Sequence, residues 1–396
     1  MIFLINSAKI HQMKSGYHFC LLSVFGMLVF SCSPNEQKEE KEKTYSLEII
    51  DSVQVDYLGE MMLLDYDQNS EKYLLATDSY YEYLEVNDEG EILLHNKFSE
   101  EGTSPVNQAL GLGYFNGNVT VFNPPKGYYY FKDSSKVGEL SIPYPHMSFM
   151  MYPKLGMFES GNKIYYPKPW PETMNVNFEE GEFYQALLKM PIIESQDKTT
   201  GDTLGIVKLP ETSELLSDEV HGFPIPVYTM DGDRLILSMW FEPEIYVYKK
   251  AGDGFEYEKT IEIDIPDWVP TTSVSFENAD QFFAENQKKR PGNLTNILVV
   301  GDYYLAIYNR GLTEDQMKGL DPRADGGLSV RRKDPNFAAV FDKDFNQVAT
   351  NVPFPIASNF PMVVNNQGEI VVSKVAGLSE TEDDGIILYK LKLLID

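Results

Sequence analysis

Hydrophobic and polar positions alternate in short runs along most of the chain, and turn residues cut the runs apart. Residues 109–143 read ALGLGYFNGNVTVFNPPKGYYYFKDSSKVGELSIP. Four segments rich in β-branched and aromatic residues, 110–115, 118–123, 127–132 and 136–142, are separated at Asn116-Gly117, Pro124-Pro125 and Asp133-Ser134-Ser135. Strands of this length joined by tight turns form a four-stranded antiparallel meander. One such sheet leaves both faces in need of cover, so copies of it are expected on either side.

The same pattern recurs. Sets of four fall at 61–65, 72–76, 80–86 and 91–98; at 155–159, 163–167, 184–190 and 204–209; and at 227–230, 234–240, 244–249 and 255–263. A further set occupies 297–300, 303–309, 337–341 and 347–352. The last, 362–365, 369–374 and 386–394, is one strand short. Residues 44–56 (TYSLEIIDSVQVD) have strand composition and no hairpin partner, so they are predicted to supply the missing strand and close a ring. Four-stranded units with a shared last blade define an all-β fold, a β-propeller, and radial closure removes exposed sheet edges. Six blades fit best. Seven is the rival count, because six units run longer than the roughly 40–45 residues of familiar propeller repeats.

The propeller is expected over 44–396, with inserted loops near 168–203, 266–293 and 310–336. One helix is predicted, over 276–289 (FENADQFFAENQKK), with Phe276, Ala279, Phe282 and Phe283 as an apolar stripe ending before Pro291-Gly292.

The N-terminus carries a different pattern. Lys14 precedes an apolar run over 19–30, which is too short to span a bilayer comfortably but suits a signal-peptide core. The run ends in Val29-Phe30-Ser31-Cys32, which resembles the lipobox of bacterial lipoproteins, although Phe30 is bulky for that position. Residues 1–31 are therefore expected to be a leader, with Cys32 lipidated and 32–43 a polar tether (CSPNEQKEEKEK). Met13 could serve as the start of a complete leader. Ser33 lacks the aspartate associated with inner-membrane retention, which favours the outer membrane.

Charge then narrows the partners. The formal net charge is −27, and the first 31 residues hold only Lys9 and Lys14, so the rest has 60 acidic against 31 basic groups. A surface this negative repels phosphate backbones and excludes nucleic acid as a partner. The two cysteines, Cys20 and Cys32, both precede the predicted fold, leaving it no disulfide framework.

Three strings carry a resemblance: LEVNDEGEILLHNKFSEEGTSPVNQALGLGYFNGNVTVFN, YTMDGDRLILSMWFEPEIYVYKK and NFAAVFDKDFNQVAT. Over roughly 57–394 the chain resembles lipid-anchored, propeller-like proteins of unknown function from Bacteroidetes. The resemblance implies a propeller carried by a surface or periplasmic lipoprotein. It brings no catalytic residue with it.

Catalytic patterns are missing: there is no G-x-S-x-G, no H-E-x-x-H and no P-loop. His95, His146 and His221 are far apart in sequence. Asp342-Lys343-Asp344 begins like a calcium loop, but Gln347 replaces the glycine, and Asp65-Tyr66-Asp67 fails likewise at Ser70; both read as hairpin turns. No metal or cofactor is expected. The contrasting feature is a basic insertion, NRGLTEDQMKGLDPRADGGLSVRRK, whose Arg310, Arg331 and Arg332 are candidate forks for carboxylates, phosphates or sugar hydroxyls. Trp170, Trp240 and His221 are candidate contacts for a sugar ring or peptide side chain. The expected function is a binding module for a peptide, glycan or partner protein. The alternative is a polysaccharide hydrolase or lyase using carboxylates on the funnel face.

Overall fold

The computed structural model describes residues 43–147, 154–321, 323–355, 361–378 and 384–396. The leader, Cys32 and the tether up to residue 42 lie outside them. Six four-stranded antiparallel sheets follow one another along the chain. Blade one runs Met62–Asp67, Lys72–Ala76, Glu82–Val86 and Ile92–Lys97. Blade two contains Leu112–Phe115, Asn118–Asn123, Gly127–Lys132 and Ser135–Ser141. Blade three contains Phe158–Ser160, Lys163–Pro167, Ile193–Asp197 and Thr203–Val207. Blade four contains Pro226–Asp231, Arg234–Met239, Glu244–Ala251 and Gly254–Glu262. Blade five contains Arg290–Val300, Tyr303–Leu312, Asn336–Asp342 and Gln347–Pro353.

Blade six joins the chain ends. Met362–Val364, Ile370–Ser373 and Ile386–Ile395 are completed by Tyr45–Val55, which pairs antiparallel with Ile386–Ile395 from Tyr45↔Ile395 to Val55↔Ile386. A bulge between Ile49 and Asp51 adds one residue to the outer strand and flips its alternation. Leu47 consequently packs with blade five, whereas Val53 and Val55 pack with blade one.

Six apolar clusters, one at each junction between neighbouring blades, form the core of the ring. This explains the strand patterns. Second strands such as Arg234–Met239 (RLILSM) are covered on both faces and read as nearly continuous hydrophobic runs. Fourth strands such as Ser135–Ser141 (SKVGELS) alternate with solvent.

Polar ties cross the same junctions. Asp65 Oδ2 accepts from the Tyr114 amide at 2.8 Å, Asn116 donates to Glu159 at 2.9 Å, and Tyr304 and Lys343 donate to Asp231 at 2.6 and 2.8 Å. The Asp342–Asn346 and Asp67–Ser70 strings are turns whose aspartates accept local hydrogen bonds.

Blade three departs from the sequence reading. Residues 184–190, expected as a strand, instead form the end of a helix, Gly181–Lys189, and its C-cap Met190, with Phe183, Tyr184, Leu187 and Leu188 buried at helical spacing. The third strand is Ile193–Asp197 (IESQD), although Glu194, Ser195 and Gln196 are buried. Glu194 is satisfied there by the hydroxyls of Tyr144 and Tyr166, at 2.8 and 2.9 Å, and by Lys168. The predicted helix over 276–289 is a 3-10 turn, Phe276–Gln281, followed by a short α-helix, Phe282–Gln287. Phe283 is 42% exposed, because the backbone kinks at Asn278 and the stripe does not stay on one face. Pro291-Gly292, read as a stop, lies within the first strand of blade five.

Candidate functional site

The two faces of the propeller differ. Hairpins joining first to second and third to fourth strands are short and lie on one face. Antiparallel order puts the connections between blades, and those between second and third strands, on the opposite face. All the long insertions are there: 168–192 within blade three, 208–225 and 263–289 between blades, and 313–335 within blade five. The chain enters blade six on the short-turn face, where Thr44 and Asp396 exchange backbone hydrogen bonds at 3.1 Å.

Several insertions build a small core of their own. His146–Met147 pairs with Trp170–Pro171, and Glu219–Val220 pairs with Val274–Ser275. Trp170, Phe183, Tyr184, Leu187, Val220, Ala279 and Phe282 are buried together. Trp170 is only 4% exposed and meets Phe183 edge-on at 5.8 Å. Its ring is therefore part of this core and is not displayed as a platform.

Beside this cap, on the same face, lies a cavity of about 840 Å³ between the 263–289 and 313–335 insertions. Its wall includes Trp268, Arg310, Thr313, Lys333, Asp334 and Phe337. The local sequence explains its shape. Pro266 and Pro270 bracket Asp267-Trp268-Val269, and Asp267 takes a left-handed turn at φ 62. Val269 is then sewn to blade five on both sides, donating to the Arg310 carbonyl and accepting from the Gly292 amide, each at 2.8 Å. A Cβ at Gly292 would come within 2.7 Å of both the Trp268 ring and the Arg310 carbonyl, so only glycine lets the indole lie on the backbone there.

Arg310 lies over Phe337, with its guanidinium carbon 4.0 Å from the ring centroid. Nε donates to Asn351 Oδ1 at 3.0 Å, and the two terminal nitrogens have no hydrogen-bond partner among the described residues. Lys333 ends the helix Leu328–Lys333 and donates to the Gln316 carbonyl. Gln316 and Thr313 form a capping box on the turn Glu314–Met317. Asp334 is buried, accepting from Arg290 Nε at 2.8 Å and from the Gly311 amide at 3.1 Å. Burial raises the Asp334 carboxyl, and the Arg290 guanidinium opposes that rise.

Of the six residues singled out in the sequence, Arg310 alone lines this cavity. Arg331 and Arg332 are exposed on the helix that ends at Lys333, and Arg332 donates to the Gly377 carbonyl of blade six at 3.1 Å. Trp240 packs on the apolar cluster between blades four and five. His221 lies in the 208–225 connection with Nε2 2.7 Å from Ser217 Oγ, and burial holds its pKa below the usual value. The site residue that sequence reading missed is Trp268. Its signal was available: Pro266 and Pro270 bracket Trp268 much as Pro169 and Pro171 flank Trp170.

The carboxylates of the first strands are otherwise engaged. Asp65 accepts from two backbone amides, Asp67 from Ser70, Glu159 from Asn116 and Lys198, and Asp231 from Tyr304 and Lys343. Among the described residues no group of histidines, cysteines and carboxylates is placed to hold a metal ion.

Fold and site together define a six-bladed β-propeller with one elaborated, cavity-bearing face. The chain is similar to a crystal structure of a member of the DUF4221 family from Bacteroides vulgatus, with a TM-score of 0.61 at 12% identity, covering 89% of this chain and 99% of that one. That likeness shows the fold. A streptogramin B lyase (TM-score 0.43, 11% identity, 88% and 98% covered) and BamB from Moraxella catarrhalis (0.38, 10%, 87% and 99%) are more distant, and neither bears on what this chain does. No protein-family model matches the chain, and no curated protein matches it by sequence.

Proposed function

We propose that this chain is a binding module of the cell envelope, held to the outer membrane by a lipid on Cys32, with the blade-five cavity as its ligand site. One observation carries the reading: the arginine at the cavity wall lies over Phe337 and is anchored through Nε, while its terminal nitrogens have no hydrogen-bond partner among the described residues. Pre-organised forks of this kind favour recognition of planar acceptors. The engaged first-strand carboxylates support binding over hydrolysis, because their hydrogen bonds fasten turns and neighbouring blades. The exposed Arg331 and Arg332, on the adjoining helix, would extend contacts to a ligand longer than the cavity.

The strand Tyr45–Val55 begins on the face opposite the cavity, and the cavity face is the one proposed to receive a glycan, a peptide or an envelope protein. Defined glycan and peptide arrays test the site, with wild type set against an Arg310→Ala/Trp268→Ala double variant. The reading expects at least one ligand that wild type binds and the double variant loses. No ligand, or ligands that both proteins bind equally, would sink it. Fractionation of a Cys32→Ala variant tests the anchor: release from the membrane is expected, and unchanged membrane association contradicts it.

A further inference from the structure

Resting on that reading of the cavity, we infer that its ligand is an acidic saccharide, a sugar whose ring lies against Trp268 and whose single carboxylate is taken by Arg310. Charge sets the first limit. The cavity wall carries Arg310 and Lys333 against Asp267 and Asp334, and Asp334 is already paired with Arg290 behind it. Counting that pair as neutral leaves two cations and one carboxylate, a net of +1, which suits a monoanion. A phosphate dianion would meet too little positive charge here. Polyanions would also meet the field of a chain whose formal net charge is −27.

Geometry selects the carboxylate. Arg310 is held by its contact with the Phe337 ring and by Asn351 at Nε, which leaves its two terminal nitrogens as one fork for a ligand. A planar carboxylate matches that fork, as sugar hydroxyls alone do not.

Chain topology argues against a peptide. One common way for an extended peptide to gain affinity is to add a strand to an open sheet edge. The segment bordering this cavity offers no such edge, because the Val269 amide and carbonyl are both spent on Arg310 and Gly292. What the wall offers instead is an indole, the Thr313 hydroxyl and the exposed Asp267 carboxylate, groups that serve a ring bearing hydroxyls. A volume near 840 Å³ lies within the range of small-molecule sites and leaves room for more than one sugar unit.

The test is calorimetric titration of the full chain in detergent with methyl glucuronide, methyl glucoside and N-acetylglycine. The glucuronide should bind at least about tenfold more tightly than the neutral glucoside, the scale expected when a charge-assisted pair is lost. Arg310→Gln should abolish that preference, and Arg310→Lys should weaken it by about tenfold because lysine has no fork. Trp268→Ala should weaken the glucuronide and also lower the melting midpoint, because the indole packs on the cluster between blades four and five, whereas Trp268→Phe should hold the midpoint close to wild type and keep most of the binding. Equal binding of glucoside and glucuronide overturns the inference, as does a glucuronide affinity unchanged in Arg310→Gln. N-acetylglycine binding as tightly as the glucuronide would show that a carboxylate suffices without a sugar. An array ligand that is neutral yet lost in the double variant would refute the acidic saccharide while leaving the cavity as the binding site.

Discussion

Removing the strand Tyr45–Val55 should unfold the last blade, and the loss can be sized from the residues it buries. Leu47, Val53 and Val55 are 7%, 2% and 0% exposed. Burying each contributes about 2 kcal/mol, so deletion costs roughly 6 kcal/mol before the ladder of hydrogen bonds with Ile386–Ile395 is considered. That is comparable to the whole stability of a typical domain, about 5–15 kcal/mol. A milder version, Val53→Ala with Val55→Ala, removes two methyl groups at each site and should cost about 4 kcal/mol including the cavities left behind. The assay is urea unfolding followed by tryptophan fluorescence and near-ultraviolet circular dichroism. A chain starting at residue 43 should match the full chain. A chain starting at 57 should lose its near-ultraviolet signal and recover it when a synthetic peptide of residues 43–56 is added. If the chain starting at 57 unfolds at the same urea concentration as the chain starting at 43, ring closure by this strand contributes nothing and the reasoning fails.

Three further outcomes follow from buried groups. Glu242 hydrogen-bonds the Tyr246 hydroxyl at 2.8 Å, and burial, with Glu244 and Glu214 adding, pushes its carboxyl up to about 8. An acid raised on folding holds its proton more tightly in the native state, so stability present at low pH should be lost as pH rises from about 4.5 to 8. Relative to Glu242→Gln, wild type should lose on the order of 3 kcal/mol between pH 5 and pH 8, and parallel urea midpoints across that range would refute the assignment. Lys168→Met should cost about 3–5 kcal/mol by stranding Glu194 in the interior, and Lys168→Met/Glu194→Leu should recover most of it; equal losses in the two proteins would contradict a buried ion pair. Trp170→Ala should lower stability by about 3 kcal/mol and leave array binding intact, because the ring is a core element of the cap; lost binding with unchanged stability would return Trp170 to the ligand site.

The blades were legible because their physics is local. Strands such as Lys72–Ala76, Asn118–Asn123 and Gly127–Lys132 match their sequence-derived bounds, as aromatic and β-branched runs stop at residues that readily take turn conformations. The strand from Tyr45 was legible as an orphan, since a blade lacking one strand and a strand lacking a sheet have one joint solution. Blade three was misread for an equally physical reason. Residues Gly181–Lys189 and Ile193–Asp197 trade the usual signatures, an aromatic-rich helix beside a strand carrying buried Glu, Ser and Gln, and only the partners supplied by Tyr144, Tyr166 and Lys168 make that strand tolerable. The cap core was invisible because its buried members come from three insertions that meet only in three dimensions. Arg310 stood out by charge contrast within an acidic chain, but Trp268 becomes a partner for it only once the Val269 segment is stitched to blade five.

A crystal structure of the chain grown with a saturating array ligand tests the central claim most directly. Ligand density between the Trp268 indole and the terminal nitrogens of Arg310 is the predicted result. Density confined to the short-turn face, or to the first strands of the blades with the cavity empty, would contradict it.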